Sequence, residues 1–258
     1  ANSGSDDISI LLNNSDATFA TAVNYPAGDY PTSVYGGDID GDGDNDIVVA
    51  NHNSDSVSVL INHGDATFEG AVDYGVGTGP RSICLTDCDG DGDYDIVFAG
   101  ESRSNEVWWW ENPYPTLDPK VPWKRYTIKK SGANKHHDQM FGDFNGDGKI
   151  ELVFWNQGGH KLISAEIPDN PKSTDEWPMT VIYEYAIDSE MEPAVGLNGY
   201  PGWQSVNEHE GLDAIDMDGD GKMDIVGGGR WFKYHNGVYI QNLIDASYTF
   251  SRSAAAQF

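Results

Sequence analysis

The chain is poor in cysteine, in basic residues and in long apolar runs. Its 258 residues include two cysteines, Cys84 and Cys88, which lie four positions apart on one predicted strand and cannot form a disulfide. Lysine and arginine total 15 against 42 acidic residues, which gives a formal net charge of −27. Because phosphate binding needs clustered basic residues, this balance argues against nucleic acid and anionic membrane surfaces as partners. The chain also lacks a stretch of 18 apolar residues, so we expect no membrane insertion.

What the chain has instead is a repeated acidic pattern of nine residues. Oxygen-bearing side chains occupy its first, third, fifth and ninth positions, and glycines occupy its fourth and sixth. Alternate side chains then converge on one point, the sixth-position glycine permits a sharp turn, and the carbonyl of the seventh residue adds a ligand. We name the four copies loop 1 (38–46), loop 2 (87–95), loop 3 (143–151) and loop 4 (216–224).

Each loop is predicted to bind one Ca²⁺ through these oxygens, the seventh residue contributing its backbone carbonyl. The loops hold 17 of the acidic residues, so four bound ions would change the formal charge from −27 to −19. The predicted metal-binding residues are Asp38, Asp40, Asp42, Asp44, Asp46, Asp87, Asp89, Asp91, Asp93, Asp95, Asp143, Asn145, Asp147, Lys149, Glu151, Asp216, Asp218, Asp220, Lys222 and Asp224.

The loops are not EF-hands. An EF-hand needs a bidentate Glu at its twelfth position and flanking helices. The twelfth position here holds Val49, Phe98, Phe154 and Gly227, and each loop leads into an apolar, strand-like run. We therefore predict that the ninth residue opens a β-strand and that the ion fixes a hairpin between two strands.

The spacing of the loops predicts an all-β fold, a β-propeller with about four recognisable four-stranded blades and an N-terminal half-blade. The segment 10–19 recurs almost unchanged as 59–68, 49 residues later, and the next two loop-to-loop spacings are 56 and 73. Periods of roughly 40–70 residues with four short strands are typical of propeller blades. In the first blade we expect the fourth strand near 67–73. No long window shows helical periodicity.

We predict that the whole chain, 1–258, is a single propeller domain. Its tail carries no acidic loop that could return the first two strands of the half-blade, so a second chain or a missing segment is expected to complete the ring. The chain starts at Ala1 without a signal peptide, which indicates a mature or clipped chain. The predicted parts are the half-blade 1–29, the blades 30–78, 79–134, 135–206 (with an insertion at 185–204) and 207–247, and the tail 248–258.

The loops, their strand context and the segments 59–62 and 95–99 resemble the FG-GAP/VCBS repeats. The resemblance implies a calcium-bearing propeller like those of integrin α subunits and secreted bacterial proteins, and a ring of seven blades. Only Phe141-Gly142 matches the FG of the name, and no Gly-Ala-Pro follows. The second half, through 108–113, 136–143 and 228–232, is similar to propellers of the aldos-2-ulose dehydratase and ulvan lyase type, which implies elimination chemistry on sugars.

A possible catalytic group comes from the residues six and seven positions before each loop. These positions start the innermost strands and are expected to surround one mouth of the central channel. For elimination, His136 or His209 serves as base, Arg81 as enolate clamp and Tyr200 as acid. With His137, Glu208 and Glu210 nearby, the same mouth is a candidate site for an additional transition metal. The alternative is structural: the histidines are hydrogen-bonded loop residues and Arg81 pairs with local carboxylates.

Two functions follow from these patterns. The first is a secreted, calcium-stabilised binding or adhesion scaffold for glycan or an extracellular protein, in an extracellular or periplasmic setting where Ca²⁺ is plentiful. The second is a carbohydrate lyase or dehydratase that uses the His/Glu/Arg group at the channel mouth.

Overall fold

The computed structural model describes residues 1–77, 79–100, 104–118, 120–185 and 211–244. All regular structure in these ranges is β-strand apart from a 3₁₀ turn at Gln157–Gly159. The chain divides into two compact units: unit 1 comprises Ala1–Ser131 and Asp169–Glu176, and unit 2 comprises Gly132–Pro168 and Trp177–Phe258. The insertion 185–204 lies, apart from its first residue, outside the described residues, and so does the tail 248–258.

Unit 1 contains a two-stranded sheet and two four-stranded antiparallel sheets, each ordered as the strands follow in the chain. The two-stranded sheet pairs β1 with β2, which is the predicted half-blade. Each four-stranded sheet is one blade, and its consecutive strands pair in chain order as a meander. The strands are β1 (Asp7–Ile10), β2 (Val23–Pro26), β3 (Pro31–Gly37), β4 (Asp46–Asn51), β5 (Ser56–Leu60), β6 (Val72–Gly75), β7 (Pro80–Thr86), β8 (Asp95–Gly100), β9 (Val107–Glu111) and β10 (Lys124–Lys129).

Unit 2 contains two further four-stranded antiparallel meanders. The first is the blade of loop 3 and the second is the blade of loop 4. The strands are β11 (His136–Gly142), β12 (Glu151–Asn156), β13 (Lys161–Glu166), β14 (Met179–Glu184), β15 (Asp213–Ile215), β16 (Asp224–Gly227), β17 (Arg230–His235) and β18 (Val238–Leu243).

The prediction of four four-stranded blades and one half-blade is therefore confirmed, and the fold is an all-β propeller. The expected fourth strand near 67–73 is wrong, because β6 covers Val72–Gly75. Residues before it form a tight loop instead. Asn62 and Phe68 make an isolated bridge, Ala66 has a positive φ of 64°, and the Thr67 N–H donates to the Asp65 carboxylate at 3.0 Å.

Apolar side chains between neighbouring sheets form the core of each unit. In unit 1, Val48 and Val57 of one blade share a cluster with Phe98, Trp108 and Trp110 of the next. The rings of Phe98 and Trp110 stack at 3.9 Å. The second strands are buried on both faces, which explains their nearly continuous apolar sequences.

The inner edges of the two blades in unit 1 lie side by side. The Thr32 hydroxyl on β3 donates to the carbonyl of Arg81 on β7 at 3.0 Å. The Ile83 N–H on β7 reaches the Ser33 hydroxyl at 3.4 Å. The first strands of these two sheets are thus neighbours, as a propeller requires.

A corresponding cluster joins the two blades of unit 2. It includes Trp155 and Leu162 of one sheet and Ile225 and Phe232 of the other. The Trp155 indole N–H donates to the Gly211 carbonyl at 3.2 Å. Both units are therefore built from apolar contact between adjacent sheets. In the described part of the chain, no helix is long and apolar enough to cross a membrane.

Candidate functional site

The four acidic loops lie at equivalent places in the four-stranded sheets. Each connects the first strand of its sheet to the second, and the second strand begins at the ninth loop residue, as predicted. These strand-opening residues are Asp46, Asp95, Glu151 and Asp224. The ninth residue is thus part of the sheet and cannot move independently of it.

The first aspartate of each loop organises the turn. In loop 1 the Asp38 carboxylate accepts the N–H groups of Gly41 at 2.8 Å and of Gly43 at 2.9 Å. The same pair of bonds in the other loops spans 2.7–3.1 Å. The fourth- and sixth-position glycines of all four loops have positive φ values between 74° and 101°. Glycine is therefore required at both positions, because other residues enter this region at a cost.

The ninth-position carboxylate closes the loop from the other side. Asp46 is fully buried, and one of its oxygens accepts the N–H of Ile39, the second loop residue, at 2.7 Å. Equivalent bonds of 2.9–3.1 Å join the second and ninth residues in the other loops. Each loop is thus closed by its own carboxylates through backbone N–H groups.

Two asparagines after the third strand, which the sequence reasoning missed, complete this arrangement. The Asn62 N–H donates to Asp46 at 2.8 Å, and its side-chain amide donates to the Asn45 carbonyl at 2.9 Å. Asn112 makes the same pair of bonds to Asp95 at 2.8 Å and to Tyr94 at 3.1 Å. The signal was present, because Asn62 lies in the 49-residue repeat and Asn112 follows the corresponding third strand.

Carboxylates converge within each loop. One oxygen from each of three side chains lies within 4.8 Å of the others in all four loops. The converging sets are Asp38, Asp40 and Asp42; Asp87, Asp89 and Asp95; Asp143, Asp147 and Glu151; and Asp216, Asp218 and Asp224. Clusters of hard oxygen donors on a tight loop are the ligand set that Ca²⁺ takes.

The same clusters are electrostatically unfavourable when no cation is bound. Burial above all, with smaller contributions from the nearby carboxylates of Asp89 and Asp93, raises the pKa of Asp95 to about 8. Burial likewise raises the pKa of Glu151 to about 7 and that of Asp93 to about 6. In each case the ionised carboxylate is unfavourable in its buried position. A bound divalent cation would offset this cost.

Loop 2 gives the most direct test of whether a cation fits. The Asp93 Oδ1 atom is buried and has no hydrogen-bond donor among the described residues. A buried carboxylate oxygen without a partner costs free energy. The converging oxygens of Asp87, Asp89 and Asp95 suit a cation bound inside the loop, and its charge would also offset this cost at the nearby Asp93.

The structure shows three of the five predicted catalytic residues, and they fall in different units. Arg81 is exposed on β7 of unit 1. In unit 2, His136 opens β11 but is only 1% exposed. Its Nε2 lies 2.7 Å from the Asn156 amide nitrogen, and its ring packs on Phe154. His137, the next residue, is half-buried. The His136 contacts support a structural role.

The rest of the predicted catalytic group is outside the described residues, namely Tyr200, Glu208, His209 and Glu210. Among the residues that the structure describes, the groups of three metal-ligating side chains are those of the four loops. The catalytic assignments and the additional transition metal therefore stay predictions.

A ligand-sized groove lies in unit 2, between β14 and the hairpin of β17 and β18. Its volume is about 450 Å³. Tyr234 and Tyr239 line it from the hairpin, Ser164 and Glu166 line it from β13, and Val181 of β14 forms part of its wall. The two tyrosine rings meet edge to face at 5.1 Å. The groove thus combines aromatic, aliphatic and polar surface.

The fold and the loops together define a repeat protein of the β-propeller class. The model of the FG-GAP-like repeat matches residues 1–49, 38–98 and 87–154, which is more than half of the chain. The chain therefore belongs to the FG-GAP-like repeat family. The VCBS assignment and the likeness of the second half to sugar-eliminating propellers stay predictions.

One solved structure supports the same fold. The chain is similar to an Agrocybe aegerita lectin whose structure explains recognition of non-reducing terminal N-acetylglucosamine, with a TM-score of 0.57 and 19% identity. That match covers 92% of this chain and 60% of the lectin chain. A weaker match, with a TM-score of 0.37 and 19% identity, is the V. cholerae biofilm matrix protein Bap1, over 81% of this chain and 29% of that one. No curated protein sequence matches significantly.

The positive φ at the sixth loop position gives a test of the loop geometry. A Cβ added at Gly43 meets no atom within 4 Å, so Gly43→Ala changes only the backbone strain at a φ of 94°. We expect it to lower the free energy of unfolding by about 1–2 kcal/mol. Urea denaturation measures the loss. Gly70→Ala is the matched control, because Gly70 also has open space and no positive φ; equal stabilities of the two variants would contradict the assignment.

Proposed function

We propose that the protein is a calcium-stabilised propeller that acts as an extracellular or periplasmic binding scaffold. The observation that supports it is the convergence of three carboxylates in each of the four loops. In loop 1, the side chains of Asp38, Asp40 and Asp42 would hold the ion, together with the carbonyl of Asp44. Loops 2 to 4 offer the corresponding oxygens.

The role of the ion in this proposal is structural. The ninth residue of each loop is both a candidate ligand and the first residue of the second strand. A cation that binds the first and ninth residues therefore joins the ends of two adjacent strands. It also offsets the burial and the weaker carboxylate repulsion that together raise the pKa of Asp95 and Glu151.

The extracellular or periplasmic location is proposed from the expected Ca²⁺ affinity of the loops. Calcium modules that work outside the cytosol saturate at roughly 10⁻⁴–10⁻³ M, concentrations that extracellular fluids supply. Weak sites of this kind suit an extracellular or periplasmic protein and would stay empty in the cytosol.

Calcium should therefore stabilise the fold. At about 10 mM Ca²⁺, each site should add about 1.4–2.7 kcal/mol relative to the same protein in excess EDTA, if its dissociation constant lies at roughly 10⁻⁴–10⁻³ M. Differential scanning calorimetry measures the shift in melting temperature. Asp87→Asn should lose one bound ion in a calorimetric titration, whereas the exposed Glu69→Gln control should keep the wild-type number. An unchanged melting curve in EDTA would count against the proposal.

The scaffold's ligand is proposed to be a glycan, bound in the groove beside β14. At about 450 Å³ the groove is within the size range of small-ligand sites, roughly 300–1,000 Å³. Tyrosine rings can cover the apolar face of a sugar, while Ser164 and Glu166 offer hydrogen bonds to its hydroxyl groups. The lectin that shares this fold recognises terminal N-acetylglucosamine, which supports a carbohydrate as the first class to test.

A glycan array followed by calorimetry tests this assignment. Tyr234→Ala should weaken binding of any glycan hit by about tenfold or more, because it removes one aromatic wall. Tyr35→Ala is the control, since Tyr35 is an exposed tyrosine of unit 1 and does not line the groove. Equal binding by both variants would contradict the groove as the site, and an array without hits would favour a protein ligand.

A lyase or dehydratase is the alternative function, and it stays a prediction based on the sequence. Incubation with uronic-acid polysaccharides distinguishes it from a scaffold. An ultraviolet-absorbing unsaturated product that is lost in His209→Ala would favour the enzyme. Bound polysaccharide without product would favour the scaffold.

We also propose that further strands complete the half-blade, as part of a seven-bladed ring. Within the described part of the chain, β1 and β2 pair only with each other. The missing strands would come from a second chain or from another segment of the protein. For completion in trans, native mass spectrometry should show a multiple of 28.2 kDa. A monomer whose β1 amides exchange rapidly with solvent would contradict completion.

A further inference from the structure

Two lysines outside the loops place their ammonium groups on candidate calcium ligands. The first is Lys172, on the segment Asp169–Glu176 of unit 1. Its Nζ lies 2.6 Å from Asp89 Oδ2, the third position of loop 2, and 2.5 Å from Glu111 Oε1. The Asp89 side chain is only 4% exposed, whereas that of Lys172 is 40% exposed, so water reaches this ion pair from the lysine side only.

The segment that carries Lys172 is fixed to unit 1 by other contacts. The Glu176 carboxylate accepts the N–H groups of Lys130 at 2.8 Å and of Ser131 at 3.0 Å. Lys130 also pairs with Asp175. Lys172 is therefore positioned by its own segment, independently of its contact with loop 2.

The second lysine is Lys233 on β17 of unit 2. Its Nζ donates to Asp218 and, at 2.7 Å, to Asp220 Oδ2. These are the third and fifth positions of loop 4, whose side chains a bound ion would use. The Lys233 side chain is 22% exposed. One ammonium group thus sits between two candidate ligands of the same loop.

Loop 1 provides the contrast. Among the described residues, no lysine or arginine forms an ion pair with the carboxylates of loop 1. Within the described ranges, the donors to its carboxylates are backbone N–H groups, such as those of Gly41 and Ile39. The loops share one sequence pattern. A lysine ammonium group nevertheless lies at the carboxylates of loops 2 and 4, and no described lysine or arginine lies at those of loop 1.

A divalent ion and an ammonium group compete for the same carboxylate oxygens. The ammonium group stabilises the carboxylate in the ion-free protein. The net free energy of Ca²⁺ binding is smaller as a result, because this ion pair is lost or weakened when the ion binds. To coordinate Asp89 or Asp218 fully, the ion must displace the lysine or share its oxygen and bear the repulsion between the two cations.

We propose, on the basis of the proposed calcium function, that Lys172 and Lys233 are built-in cations that lower the Ca²⁺ affinity of loops 2 and 4. Loop 1 then fills at lower Ca²⁺ concentration than loops 2 and 4. The lysines also hold the acidic loops together in the ion-free protein. The blades thus respond to Ca²⁺ over a wider concentration range than four identical sites would.

Calorimetric titration of the full chain with CaCl₂ tests the proposal. Lys172→Met and Lys233→Met keep the length of the side chain and remove its charge. Each should raise the affinity of one site by about three- to tenfold, and the double variant should bring two sites closer to loop 1. Lys161→Met is the matched control, because Lys161, whose side chain is 34% exposed, forms an ion pair with Glu184 outside the loops and outside the segment that carries Lys172; its titration should match the wild type.

The melting temperature of the ion-free protein gives a second readout, which does not depend on the titration. In EDTA, Lys172→Met should melt at a lower temperature than the wild type, and its gain in melting temperature on adding Ca²⁺ should be larger. If Lys172→Met does not fold, Lys172→Gln serves in its place, and Lys172→Arg should retain wild-type affinity because it keeps the charge.

The outcomes separate this inference from the proposed function. A wild-type protein that binds no Ca²⁺ overturns both. A wild-type protein that binds Ca²⁺ while both methionine variants bind it equally or more weakly overturns only the inference, because the lysines would then be neutral to the sites or support them.

Discussion

The structure depends on the gathering of carboxylates where the first strand of each sheet turns into the second. Backbone N–H groups donate hydrogen bonds to the first and ninth side chains of every loop, as the bonds to Asp38 and Asp46 show. The ninth carboxylate is buried at the start of a central strand, in a position that a neutral side chain could fill at lower electrostatic cost. An acidic residue at this position is favourable when a cation binds it, because the ion offsets both the cost of burying the carboxylate and the repulsion from neighbouring carboxylates.

This arrangement explains how loop and core support each other. The second strands that begin at the loops are buried on both faces and supply much of the apolar surface between sheets, including Val48, Phe98 and Trp155. Any displacement of a ninth residue would move such a strand. Asn112 extends the coupling, because its amide donates both to Tyr94 in loop 2 and, at 2.8 Å, to the Ile39 carbonyl in loop 1. The turns of two adjacent blades are thereby connected.

Much of this was predictable because the repeat is local. The glycines, the first and ninth acids and the strand after them are all fixed within nine residues, so the pattern alone indicates their geometry. The early start expected for β6 was wrong because the positive φ of Ala66 and the Asp65 turn do not show in the apolar pattern. Lys172 could not be foreseen, since it reaches loop 2 from a distant segment of the chain. The channel-mouth group was inferred from blade alignment, which places strand starts but does not show that His136 is buried.

Hydrogen–deuterium exchange, followed by mass spectrometry of peptides in Ca²⁺ and in EDTA, measures whether a bound ion holds the first and second strands of each sheet together. We predict that Ca²⁺ slows exchange in peptides that contain the loop glycines and the first residues of β4, β8, β12 and β16. Peptides from β6 and β10, which lie at the outer edges of their sheets, should change little. Exchange that is identical with and without Ca²⁺ at all four loops would show that Ca²⁺ does not fix these hairpins.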